Sequence, residues 1–149
     1  MPSPPISPAK IERLKKFLAQ NAEVNWIQVS LQSPEAAAKL NWKGLTRYRK
    51  DLFAQALIYQ RLSKLIPQAE STVLVALMEA GLHSALQAAA LSPQQFVQTY
   101  GAILGTELQP LEVHQRASAI RSRLLVQYLD AKQNREPHLR QSVLNPQSK

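Results

Sequence analysis

The sequence predicts an all-α protein, an irregular bundle of about six or seven helices with no sheet. Three observations carry that expectation. Ser7-Pro8, Ser33-Pro34 and Ser92-Pro93 each place an N-cap before a proline at the first helical position. Apolar residues recur at three- and four-residue spacings through most of the chain. There are only four glycines, and only one short stretch alternates in the manner of a strand.

Taken in order, residues 1–6 form a Pro/Ser leader, expected to be extended and flexible. The helix opened by Ser7-Pro8 carries Ile11, Leu14, Phe17 and Leu18 on one face and ends near Asn21; Lys10, Arg13, Lys15 and Lys16 fill the rest. Val24 to Leu31 alternates, but no second strand is available to pair its backbone. It is therefore expected to be irregular or a short helix. Ser33-Pro34-Glu35 starts a brief helix to about Leu40, and Gly44 interrupts the pattern. The long helix expected from Leu45 to Leu65 is apolar well beyond one stripe, which suits the centre of a bundle, and Pro67 ends it.

A helix over Ser71–Ala80 closes at Gly81, where a left-handed residue lets Leu82 fold back toward Leu77. A short helix from His83 to Ala90 follows. Ser92-Pro93-Gln94-Gln95 is a capping-box arrangement, and Phe96, Tyr100, Ile103 and Leu104 line the helix it opens, which Gly105 terminates. Pro110 sits in the first turn of the last helix, near Leu111 to Asn134, whose Val113, Ala117, Ile120, Leu124 and Tyr128 share a face. These signals describe one helical domain over 7–134, with a short-helix core module at 70–105 and a flexible basic tail at 135–149.

Charge is unevenly placed along the 149 residues. Residues 1–66 hold eleven Lys/Arg against four Asp/Glu, and 113–149 hold seven against two. Residues 67–112 have no Lys or Arg and four Glu. Basic segments of this kind meet nucleic acid, anionic lipid or an acidic protein face. The candidate contact surface is Lys10, Arg13, Lys16, Arg47, Arg49, Lys50, Arg121 and Arg123.

Little points to catalysis. No cysteine is present, which fits a cytoplasmic origin and removes thiolate chemistry. His83, His114 and His138 lie far apart and outside metal-ligand spacing, and no two acids fall at i,i+3 or i,i+4 on one helix. There is no Gly-rich phosphate loop or nucleophile elbow. The expectation is a non-enzyme with no cofactor and no metal. No window is apolar for the ~18 residues a membrane span needs, and no Sec-type signal is visible. The protein is expected to be made in the cytoplasm, with any export occurring inside a larger complex. Gly101 and Gly105 have the GxxxG spacing that permits close helix contact.

Two family resemblances stand on the central stretch. LMEAGLHSALQAAALSPQQF resembles the helix-hairpin-helix family, whose glycine-containing hairpins hold DNA phosphates. Its hairpin here has Gly81 alone and no nearby cation, so phosphate binding would fall to the flanking basic helices.

The fuller likeness is to another family. Gln60, Arg61, Leu62, Leu65 and Pro67 make a first element. Leu77, Ala80, Gly81, Leu82, Ser84 and Ala85 make a second. Leu91, Ser92, Phe96, Val97, Tyr100, Gly101, Leu104 and Gly105 make a third, and Val113, His114, Arg116 and Ala117 a fourth. In this order they are similar to the N-terminal helical region of the A components of Tc-type insecticidal toxin complexes, related to the Salmonella virulence plasmid A-protein family. The likeness spans Phe53 to Leu129, roughly half the chain. It implies a helical scaffold without a catalytic site, packed with protein partners in a large assembly; homo-oligomerisation stays open. Those A components are far larger than this chain, so the resemblance implies either a terminal piece of one or a stand-alone relative. Gly81, Ser84, Ser92, Phe96, Tyr100, Gly101, Gly105 and Arg116 are its structural motif residues.

Overall fold

In the computed structural model, which describes residues 6–135, each of the three Ser-Pro pairs begins a helix. The leader up to Pro5, the tail from Glu136 and His138 lie outside the described residues. Among the described residues there are seven α-helices, one 3-10 turn and no strand. They are α1 (Pro8–Gln20), α2 (Pro34–Ala38), the 3-10 turn Thr46–Tyr48, α3 (Arg49–Leu65), α4 (Ser71–Glu79), α5 (Ala85–Ala90), α6 (Pro93–Leu104) and α7 (Pro110–Arg135).

Helix α3 is the hub and packs against α1, α4, α5 and α7. Its buried set, including Leu52, Ala56, Tyr59, Leu62 and Leu65, extends around much of the helix, as the breadth of its apolar pattern predicts. The expected start at Leu45 is one turn early: residues 46–48 form the tighter 3-10 turn, and the α-helix begins at Arg49. Polar residues join the interior on α3 too. Gln60 is 8% exposed, and its Nε2 donates to the carbonyls of Trp26 and, at 2.9 and 2.5 Å respectively, Val29.

Those two bonds explain the ambiguous Val24–Leu31 segment. It forms successive turns, closed by Gln28 N–H to Asn25 O at 3.1 Å and Val29 N–H to Asn25 O at 2.9 Å. Two carbonyls that a strand would have offered to a neighbour are taken instead by the Gln60 amide. Alternating Ile27 and Val29 therefore do not share a sheet face, and Trp26 and Leu31 are the residues that enter the core, 9% and 2% exposed.

A polar lock ties α1 to the next segment. Asn21 caps α1 and is 5% exposed. Its Nδ2 donates to Phe17 O at 2.9 Å and Asn41 O at 3.1 Å, while its Oδ1 accepts from Asn41 N–H at 2.7 Å. Beside it, Phe17 sits with ring centroids 4.7 Å from Trp42 and 6.0 Å from Trp26, and Trp26 meets Tyr59 edge-on at 5.8 Å. Buried rings in tilted and T-shaped pairs each add about 0.5–1.5 kcal/mol beyond area burial. This cluster joins α1, the irregular segment and α3.

The second half of the molecule wraps α7 with short helices. Helices α5 and α6 both pack on α7, and α4 contacts α3, α6 and α1. Val113 and Ala117 of α7 are fully buried there, together with Phe96 and Ala88. That packing stops after Ile120. Every described side chain from Arg121 to Gln133 is exposed.

Candidate functional site

The motif residues of the central stretch all hold backbone or core. Gly81 adopts φ +98°, with its N–H on Met78 O at 3.0 Å and Leu82 N–H on Leu77 O at 2.9 Å, the paired bonds of a Schellman cap. Ser84 Oγ accepts from Gln87 N–H at 3.2 Å, so α5 begins at Ala85 and not at His83, whose own N–H donates to Gln87 Oε1 at 2.6 Å. Ser92 and Gln95 form the full reciprocal capping box, at 3.2 and 3.1 Å. Gly101 and Gly105 do not mark a close helix approach. A Cβ on Gly101 would meet only Val97 Cγ1 of its own helix, at 3.3 Å, and one on Gly105 would meet nothing within 4 Å. Gly105 is needed for its backbone, φ +70°, which ends α6.

Phe96, Tyr100 and His114 form a second ring cluster, with Phe96 centroids 5.4 Å from Tyr100 and 5.6 Å from His114. His114 is 7% exposed, and its Nε2 lies 2.7 Å from Leu91 O, which makes that nitrogen the protonated one. Arg116 is half-buried and reaches across to α3, donating from Nη1 to Leu65 O at 3.1 Å. A cation on the last carbonyls of a helix complements its dipole. Arg116 thus binds α7 to the end of α3.

Burial raises the Tyr100 phenol above its ordinary value of 10.0. The unfolded chain then loses this proton at lower pH than the folded one, so stability is unaffected below about pH 10 and falls as pH rises through the folded value. Chemical denaturation between pH 8 and 11 is expected to show a steeper alkaline loss in the native chain than in Tyr100→Phe.

Most of the sequence-predicted basic residues converge. Along α1 and the segment that crosses it, Arg13 stacks over the Tyr48 ring at 4.0 Å, and Lys16 Nζ lies 3.4 Å from where a Gly44 Cβ would stand. Gln20 Nε2 donates to Lys43 O at 3.0 Å, and Arg49 stacks over Trp42 at 5.0 Å. Among the described residues the one side-chain ion pair is Lys15–Glu12, at 3.6 Å. Lys16, Lys43, Arg47, Arg49 and Lys50 are thus exposed cations without an acidic partner among the described residues. Arg121 and Arg123 are carried on a different element, α7. Arg121 donates to Ala89 O at 3.4 Å, where α7 packs on α5.

The remaining feature reads in the sequence as continued core and not as a free surface. Leu124, Leu125, Val126, Tyr128 and Leu129 are 44%, 55%, 58%, 62% and 47% exposed on the distal half of α7. Single exposed apolar residues are ordinary, but a contiguous set on one helix marks an interaction surface. Leu124 and Tyr128 are expected to continue the core face of Val113, Ala117 and Ile120; the bundle ends before reaching them.

Two clefts accompany these surfaces. One of about 430 Å³ is lined by Leu18, Ala19, Ala22, Trp26, Val75 and neighbours, with Lys15 and Tyr59 as its ionisable groups. Another of about 420 Å³ lies between Val24, Val29, Ser33, Ala36 and Leu40, with Glu35 and Lys39 at its edge. Among the described residues no three His, Asp or Glu side chains gather as a metal site. No described helix is long and apolar enough to cross a membrane.

No protein-family model, curated protein or solved structure matches this chain. The site residues therefore stand on geometry alone. Their sequence signals differ in strength: the caps and turn glycines are written locally, whereas the bare distal half of α7 shows only as a change in pattern. Over 113–120 the apolar residues keep one stripe; Leu124 and Tyr128 continue it, Leu125 and Leu129 widen it to one side, and Val126 falls outside it.

Proposed function

We propose that this chain is a non-enzymatic helical scaffold or protein-interaction module, of the kind found in the N-terminal helical part of a Tc-toxin A component or in an accessory of a secreted particle. The observation that carries this reading is the distal half of α7, an apolar helix surface presented beyond a core that closes without it. The structural work done by the motif residues also supports it, because caps, a turn glycine and a dipole-matched arginine build a rigid platform for that helix. Synthesis in the cytoplasm, with export inside a complex, belongs to the same proposal.

A second reading has its own support. The cations gathered from α1 and the 43–50 segment form one surface free of acidic partners among the described residues, with aromatic rings beneath Arg13 and Arg49. Such a surface suits nucleic-acid phosphates.

One experiment separates the two. The tagged chain is recovered from its source cells at low and at moderate salt, alongside Leu125→Asp/Leu129→Asp and Arg47→Glu/Arg49→Glu/Lys50→Glu variants. The first reading expects specific proteins retained at both salts and lost only from the α7 variant, whose thermal stability stays within about 0.5 kcal/mol of the native chain. Recovery of nucleic acid, with a log–log salt slope of about −5 for six phosphates and loss in the triple variant, would replace it with the second.

A further inference from the structure

Resting on the interaction-module reading, we infer that the distal half of α7 docks an acidic amphipathic helix of another protein, not a second copy of this chain. The helical repeat decides what the exposed surface looks like. Arg121, Leu124, Leu125, Tyr128, Leu129 and Lys132 fall at i, i+3, i+4, i+7, i+8 and i+11, so they occupy one face. That face is an apolar stripe with a cation at each end, about 16 Å apart along the helix. Arg123, Gln127 and Asp130 lie on the opposite side. All of these side chains are exposed, and Arg121 is steadied at the base of the stripe by its bond to Ala89 O at 3.4 Å.

This charge pattern selects the occupant. Two copies packed in parallel would set Arg121 on Arg121 and Lys132 on Lys132. Packed antiparallel over the stripe, they would set Arg121 against Lys132 at both ends. Either arrangement buries the apolar stripe only by opposing like charges, and the formal net charge of +8 adds long-range repulsion between copies. A helix with its own apolar i, i+3, i+4, i+7 face and a carboxylate one turn beyond each end meets both cations with opposite charge. The partner's recognition element is therefore a short amphipathic helix with acidic flanks.

The test uses two labelled synthetic helical peptides, identical in their leucine face, one with glutamates and one with lysines flanking it. Fluorescence anisotropy with the full chain is expected to show at least a ~10-fold preference for the glutamate peptide, equivalent to two modest ion pairs gained and two repulsions avoided. Lys132→Glu, which touches nothing in the bundle, should erode that preference, and Arg121→Glu/Lys132→Glu should reverse it. Sedimentation equilibrium of the native chain at the same concentrations should give a monomer. Equal binding of the two peptides, no binding, or tighter binding to phosphatidylcholine–phosphatidylserine vesicles would overturn the inference, as would a dimer broken by Leu125→Asp/Leu129→Asp. If the peptides fail while that α7 variant still loses its cellular protein partners, the charge rule falls and the interaction module stands.

Discussion

Phe17→Ala is expected to destabilise the protein by about 3–5 kcal/mol, the cost of a large cavity in a core that cannot collapse to fill it. The ring is fully buried and lies between Trp42 at 4.7 Å and Trp26 at 6.0 Å. Its loss removes the contact through which α1, the turns around Trp26 and the segment before α3 hold one another. The neighbours are poorly placed to relax inward. Trp26 is anchored through its carbonyl to Gln60, and Trp42 through its indole N–H to Ala37 O at 3.2 Å. Domains of this kind have about 5–15 kcal/mol in total, so the variant should sit near its unfolding threshold. Urea denaturation of the two proteins measures the effect, and a loss below about 1 kcal/mol would mean that the aromatic cluster does not hold these segments together.

The same region shows where sequence reasoning reaches its limit. Helix starts were readable because a serine oxygen and a following proline act within four residues, as Ser7, Ser33 and Ser92 do. The Gly81 closure was readable for the same reason. The cluster around Phe17 was not, because its members come from α1, two irregular segments and α3, and nothing local brings them together. Asn21 looks like an ordinary helix end in sequence; only the fold places Asn41 within reach of both its amide oxygen and nitrogen. Gln60 is read most simply as a polar residue on a helix, and its role in satisfying Trp26 and Val29 depends on a loop whose path has no local signal.

For the functional surfaces the division is similar. The basic content of α1 and of 43–50 is plain in the sequence, but their meeting depends on Arg13 reaching Tyr48 and Gln20 reaching Lys43. The apolar residues of distal α7 look like more core until the short helices α5 and α6 are seen to end before them.

The second large effect concerns that helix. A helical segment without tertiary packing is marginal in water and frays readily, since side-chain burial supplies most helix stability in proteins. Val113 to Ala117 lie in the packed half, and their amides are expected to open only with the domain; Leu124 to Lys132 have exposed side chains and are expected to lack that protection.

Hydrogen exchange on the isolated monomeric chain, with and without the acidic helical peptide, tests most directly whether distal α7 is a surface awaiting a partner. Leu124 to Lys132 are expected to exchange at least ~100-fold faster than Val113 to Ala117 in the free chain, and to slow markedly when the peptide is added. Equally slow exchange of both halves in the free monomer would contradict this, because it would mean the distal helix is already covered.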